Sequence, residues 1–172
     1  MSGQPHTSSL LRWLAGEPYR VFFASGALWS IVGVMLWPLF YAQWIGFHPG
    51  MAHARIMLEV FGGAFVVGFL GTAGPRMASA PKLMPVELLW LFGLHQTSAL
   101  CHLTLHLWWG EICFIALLAS LVVMLVIRVV KFRKEPPPPQ MLLALTGLGC
   151  GMVGATMLLN PMIQLDAGNL RL

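Results

Sequence analysis

The sequence predicts an all-α fold, a polytopic transmembrane helix bundle of five spans with its N-terminus inside and its C-terminus outside. Three observations carry this prediction. Of 172 residues, 58% are hydrophobic and 9% are charged, with a mean hydropathy of +0.76, whereas a soluble domain has about a quarter charged residues and needs them to coat its exterior. Five apolar runs approach the roughly 20 residues that a helix needs to cross about 30 Å of hydrocarbon. They are continuous, without the period-two alternation of a barrel strand. Finally, the basic residues gather in alternate connections between the runs.

The first run extends from Val21 to Tyr41. Its apolar core is too long for a secretory leader, and Tyr41-Ala42-Gln43-Trp44 offers no small-x-small cleavage site, so the segment is expected to stay in the protein. The second run, Ile56 to Ala73, is expected to stop at Thr72-Ala73-Gly74-Pro75, where glycine and proline together break a helix. Pro81 and Pro85 then open the third, Val86 to Trp108. The fourth is Ile112 to Val130 and the fifth Met141 to Leu159, with the stiff spacer Glu135-Pro136-Pro137-Pro138-Pro139 between them. The chain thus divides into an N-terminal cytoplasmic segment (1–20), a four-span bundle (21–134), a polyproline linker (135–140), and a fifth span with a short outer tail (141–172).

Arg12, Arg20, Arg76, Lys82, Arg128, Lys131, Arg133 and Lys134 fall on one side of this topology, and Arg55 and Arg171 on the other. The positive-inside rule makes the first side cytoplasmic. The net charge of +4 is therefore topological; no basic, aromatic-studded face suggests nucleic acid. Cys101, Cys113 and Cys150 are widely spaced in apolar surroundings and read as reduced thiols. Ser98-Ala99-Leu100-Cys101-His102 lacks the first cysteine of a covalent haem motif. Ala64, Gly68 and Thr72 on the second span, and Gly147, Gly151 and Ala155 on the fifth, form small-residue stripes suited to close helix packing.

Histidines carry the chemistry. His95, His102 and His106 lie seven and eleven residues apart on the third span, and at about 100° per residue they share one face. The topology sets His95 near mid-membrane and brings His102 and His106 toward the outer face, where His48 and His53 also lie. Ionisable groups in a membrane are costly and mark functional positions. Neutral imidazole suits haem iron, copper and zinc; the alternative is that each ring donates a hydrogen bond to a carbonyl of a neighbouring span. Met57, on the face of His53, offers a thioether for copper. Arg55 and Glu59, four apart, can form an ion pair, or can serve separately as a haem-propionate partner and a proton-handling group. Glu111, beside Trp108 and Trp109, reads as a loop residue in an aromatic belt.

Two motifs in order resemble the NnrS family. The first is Pro18-Tyr19-Arg20-Val21-Phe22-Phe23, followed by Ala27-Leu28-Trp29 and Leu36-Trp37; the second is His53-Ala54-Arg55-Ile56-Met57-Leu58-Glu59, followed by Gly68-Phe69-Leu70-Gly71-Thr72-Ala73-Gly74-Pro75-Arg76. The resemblance covers about the first 85 residues. It implies a bacterial multi-span inner-membrane protein linked to nitric oxide stress and denitrification, containing haem and copper. It carries His53 over as a haem or metal ligand, and matches Arg55, Glu59 and Arg76 without assigning them roles. Many members have a second histidine where this chain has Met51, and members are longer, so the chain reads as a short or half-length relative.

Together these readings predict a membrane protein that binds haem b, with copper as a second candidate, in nitric oxide or respiratory stress. The cofactor-binding candidates are His53, His102, His106, His95 and Arg55, and the metal-ligand candidates His53, His102, His106 and Met57. Its expected partners are the lipid bilayer and a second copy or another membrane subunit. Two rival readings fit the same residues: a haem electron-transfer or quinone-linked subunit, and a cofactor-free transporter or assembly component. No nucleophile–base pair, carboxylate dyad or nucleotide loop is evident in the sequence, so any catalysis is expected to be metal redox chemistry.

Overall fold

The structure, a computed structural model, describes residues 6–132 and 139–159. These residues contain helices and no strand. A short helix, α1 (His6–Ala15), lies within the segment expected only to precede the membrane. It is followed by α2 (Tyr19–Tyr41), α3 (Gly50–Arg55), α4 (Gly63–Met77), α5 (Pro85–Leu103), α6 (Leu107–Ile127) and α7 (Pro139–Leu158). A π-helical stretch, Ile56–Gly62, joins α3 to α4 without a break, and another, Arg128–Phe132, prolongs α6. Residues 133–138, most of the expected linker, lie outside the described residues, as does the tail with Arg171; Pro139 and Gln140 already belong to α7.

Four rods are long and apolar enough to cross a membrane: Tyr19–Tyr41, Gly50–Met77, Leu107–Phe132 and Pro139–Leu158. The expected third span is α5, a 19-residue helix made less apolar by Glu87, His95, Gln96, Thr97, Ser98 and His102. It packs along α6 and touches α1 and the first π-helical stretch, so its polar groups meet protein.

Boundaries differ from expectation where capping overrides local signals. The Gly50–Met77 rod runs through Gly74-Pro75 for two further residues, because a proline in the last turn removes only one ladder bond. It stops where Ser79 turns left-handed (φ 47°) and Ala80 N–H donates to the Pro75 carbonyl at 2.8 Å. The same closure ends α2 at Gln43 (φ 59°) and α5 at Leu105 (φ 62°). In the latter, His106 N–H donates to the Cys101 carbonyl at 2.8 Å and Leu105 N–H to that of His102 at 3.3 Å, a Schellman cap.

Small residues set the packing. A Cβ on Gly26 of α2 would fall 2.9 Å from Ala64 Cβ, and one on Gly68 of α4 would fall 3.0 Å from Phe22 and Phe23. The expected Ala64/Gly68/Thr72 face is therefore the α2–α4 contact, and the Thr72 hydroxyl accepts from Tyr19 N–H at 3.2 Å. On the other side of the rod, Gly63 faces Phe114 and Gly74 faces Leu125, both on α6. α7 packs on α6, with Met141, Leu148 and Ala155 buried. Polar clamps add to this: Gln96 of α5 donates to Ser25 Oγ at 2.6 Å and accepts from Trp29 Nε1 at 2.9 Å. Cys101, Cys113 and Cys150 are free, and Cys150 is exposed.

Charges collect at the end of the bundle with Arg76, Lys82 and Arg128. Arg128 meets Glu87 at 2.5 Å and donates to the Pro81 carbonyl at 3.0 Å. Glu17, between α1 and α2, pairs with Arg76 and with Lys82. Burial opposes its ionisation, but Lys82, Arg76 and Arg20 outweigh this and hold the carboxyl below its ordinary value of 4.5.

Two outcomes follow for thermal unfolding in detergent. Gly26→Ala, which forces α2 from α4 against a backbone-anchored Cβ, is expected to cost about 1–3 kcal/mol, whereas Gly93→Ala, with nothing within 4 Å, should not lower the melting temperature. Because Glu17 ionises more readily folded than unfolded, its contribution is present above about pH 4.5 and is lost as pH falls through its lower folded-state value. Glu17→Gln should therefore lower stability at neutral pH and flatten the acid-side decline.

Candidate functional site

At the opposite end of the bundle, three elements bring four ionisable side chains together out of contact with solvent. Arg55 closes α3, Glu59 sits in the following π-helical stretch, His102 lies in the last turn of α5, and Glu111 lies near the start of α6. Their exposures are 5%, 7%, 0% and 0%. Arg55 Nη1 donates to Glu59 Oε1 at 2.6 Å and also contacts Glu111 Oε1. His102 Nε2 stands 2.9 Å from Glu59 Oε2, but the angle does not make a hydrogen bond, and both ring nitrogens are without a partner. Glu59 Oε2 and Glu111 Oε2 are likewise unpartnered. One donor atom each from Glu59, His102 and Glu111 falls within 4.8 Å of the others.

Local structure explains the convergence. π-helical turns accompany functional positions in helices, and both such stretches in this chain carry a buried charge, Glu59 in one and Arg128 in the other. On the α6 side, Gly110 makes room for the imidazole: a Cβ there would lie 2.5 Å from His102 Cε1 and 2.6 Å from Nδ1. Ser98 Oγ donates to the Gly110 carbonyl at 3.0 Å and ties the start of α6 to α5.

The other sequence candidates sit elsewhere. His95 is buried but engaged at both ring nitrogens, with Nε2–H donating to the Val60 carbonyl at 3.0 Å and Nδ1 3.4 Å from Gln96 Nε2; Phe22 and Phe92 flank the ring. His106 leaves the expected histidine face, because the Schellman cap ends α5 at Leu103 and places His106 in an exposed turn, bonded to Thr104 Oγ1 at 3.1 Å. His53 is half-buried, its Nδ1–H donating to the Gly33 carbonyl at 2.9 Å and its ring beside Trp37. Met57 also lies against Gly33, its sulfur 3.3 Å from where a Cβ there would stand. Arg55 is committed to two carboxylates.

A family model described as NnrS protein matches residues 13–171. The chain belongs to the NnrS family. No curated protein and no solved structure matches it. The match reaches well past the two N-terminal motifs, so in this NnrS protein all four residues of the buried cluster fall inside the family region. Of the four, Glu111 departs from its sequence reading as a loop residue: α6 begins at Leu107 rather than near Ile112, which carries Glu111 into the helix and toward Arg55. One signal was available. Glu111 has no basic neighbour in its own connection, and an uncompensated carboxylate beside an apolar run needs a partner from elsewhere.

Removing one member of a buried ion cluster leaves the others uncompensated, at a cost of about 3–5 kcal/mol. Glu111→Ala is expected to lower stability by that order in chemical or thermal unfolding, and Glu111→Gln by less. Equal stability of Glu111→Ala and the parent protein would show that Arg55 does not depend on this carboxylate.

Proposed function

We propose that this chain is a haem b-binding membrane protein of the NnrS type, acting in nitric oxide or respiratory stress at the bacterial inner membrane, with the histidine end of the bundle outward. The observation that carries this reading is His53. Its Nδ1–H is fixed by the Gly33 carbonyl, and no hydrogen bond engages Nε2 among the described residues. A backbone acceptor on one ring nitrogen sets the tautomer and orients the other as a metal ligand. His53 also leads the helix whose motif the family resemblance singles out.

The cofactor, when bound, supplies an iron that can take nitric oxide as a ligand. The protein's part is to hold and orient. Trp37 flanks the His53 ring at 6.0 Å, and Met57 adds a soft donor beside it that suits copper. His95, with both nitrogens engaged, serves to pack α5 against the rod. His106, exposed at the same end, is the histidine available to complete ligation, within one chain or from a second copy.

Oxidised and dithionite-reduced absorption spectra of the detergent-purified protein, with and without nitric oxide, test this reading. His53→Ala should remove or shift the Soret band, and His48→Ala should leave it unchanged, because the motif that the family resemblance singles out begins at His53 and does not include His48. A colourless protein made with abundant haem, or a spectrum indifferent to His53, would overturn it.

A further inference from the structure

We propose that Glu59, His102 and Glu111 form a second, non-haem site that binds one divalent first-row cation of the iron(II), manganese(II) or zinc(II) class. This goes beyond the haem reading and does not depend on it, since no residue of the set is the proposed haem ligand. Arg55 is the positioning residue: it contacts Oε1 of each carboxylate, leaving Oε2 of each without a hydrogen-bond partner. The unpartnered His102 ring belongs to the same group, completely enclosed. Buried polar atoms are almost always satisfied, and here, with Glu111 Oε1 set against Arg55, four such atoms from three side chains have no hydrogen-bond partner in one place.

The spacing suits ligation, and the angle does not suit a hydrogen bond. Two donors at about 2.1 Å from one ion and at right angles to each other stand about 3.0 Å apart. Glu59 Oε2 and His102 Nε2 are 2.9 Å apart with an angle unsuited to a hydrogen bond. His102 Nε2 is the ring nitrogen that stands against Glu59 Oε2, so Nε2 is the donor that faces the carboxylates.

Charge points the same way. With both carboxylates ionised as ligands, one guanidinium leaves one negative charge for a divalent cation to offset. A divalent cation reverses the excess, so its remaining positions favour a small anion such as hydroxide. One imidazole and two carboxylates, with no thiolate or thioether, select borderline-hard divalent ions over copper(I). The site is thus chemically distinct from the His53–Met57 pair.

The test uses the full chain in detergent, stripped with a chelator and loaded with cobalt(II), whose absorption edge is separate from that of haem iron. Metal analysis after gel filtration should give one cobalt per chain, and the cobalt X-ray absorption spectrum should show an oxygen and nitrogen shell with one imidazole and no sulfur. His102→Gln and Glu111→Gln should each cut loading at least tenfold, and His53→Ala should retain it. Sub-stoichiometric uptake, loading unaffected by the two substitutions, or sulfur in the first shell overturns the proposal. If either variant fails to fold by circular dichroism, the first shell of the unsubstituted protein decides, more than one imidazole counting against. Loss of the haem spectrum with cobalt loading intact would fail the haem reading alone; the reverse would fail this one alone.

Discussion

The structure depends on one guanidinium. Arg55 sits inside the helix bundle, and its burial is tolerable only because Glu59 comes from its own rod and Glu111 from α6. His102 brings α5 to the same point. Three elements that are distant in sequence are therefore joined by an electrostatic requirement that apolar packing cannot supply, since lipid is as apolar as the helices it surrounds. The cluster also explains how α5, the least apolar of the long helices, is held in the bundle: His95, Gln96 and Ser98 are spent on contacts with the rod, α2 and Gly110.

Around this point the packing is a matter of clearance. The Gly50–Met77 rod meets α2 through Gly26 and Gly68 and meets α6 through Gly63 and Gly74, so it can be the best-buried span while carrying few large side chains at its contacts. Close approach in turn shortens the reach of the polar groups. Tyr19 N–H finds the Thr72 hydroxyl and His53 finds the Gly33 carbonyl across the same α2 interface. At the far end, Glu17 and Glu87 hold the basic residues that follow the rod and α6. The bundle is thus tied by ions at both ends and by small residues between them.

Most of this architecture was legible in the sequence. Uninterrupted apolar length located the helices, and small-residue spacing located the α2–α4 face, because both depend on local pattern. The Arg55–Glu59 pair was legible for the same reason, being one helical turn apart. Glu111 was not, because its role depends on where α6 begins. Nor was the departure of His106 from the helix face: Leu105 adopts a left-handed conformation that favours glycine, and only the carbonyls of the preceding turn reveal the cap. The run through Pro75 likewise reflects position within the last turn rather than residue type. In each miss the deciding contact lies across a turn or between helices, beyond the reach of periodicity.

The π-helical stretch between Ile56 and Gly62 also constrains chain length. A π turn is closed from i to i+5 and so holds one residue more than an α turn. It sets the phase between two halves of one rod, the first carrying His53 and Arg55 and the second carrying the glycine faces. Losing one residue while the rest of the stretch kept its winding would rotate the halves by roughly a quarter turn relative to each other. The glycines could stay seated while the arginine swung away from α6. Chain length across these seven positions is therefore under a constraint separate from residue identity, and an indel there would uncouple chemistry from fold.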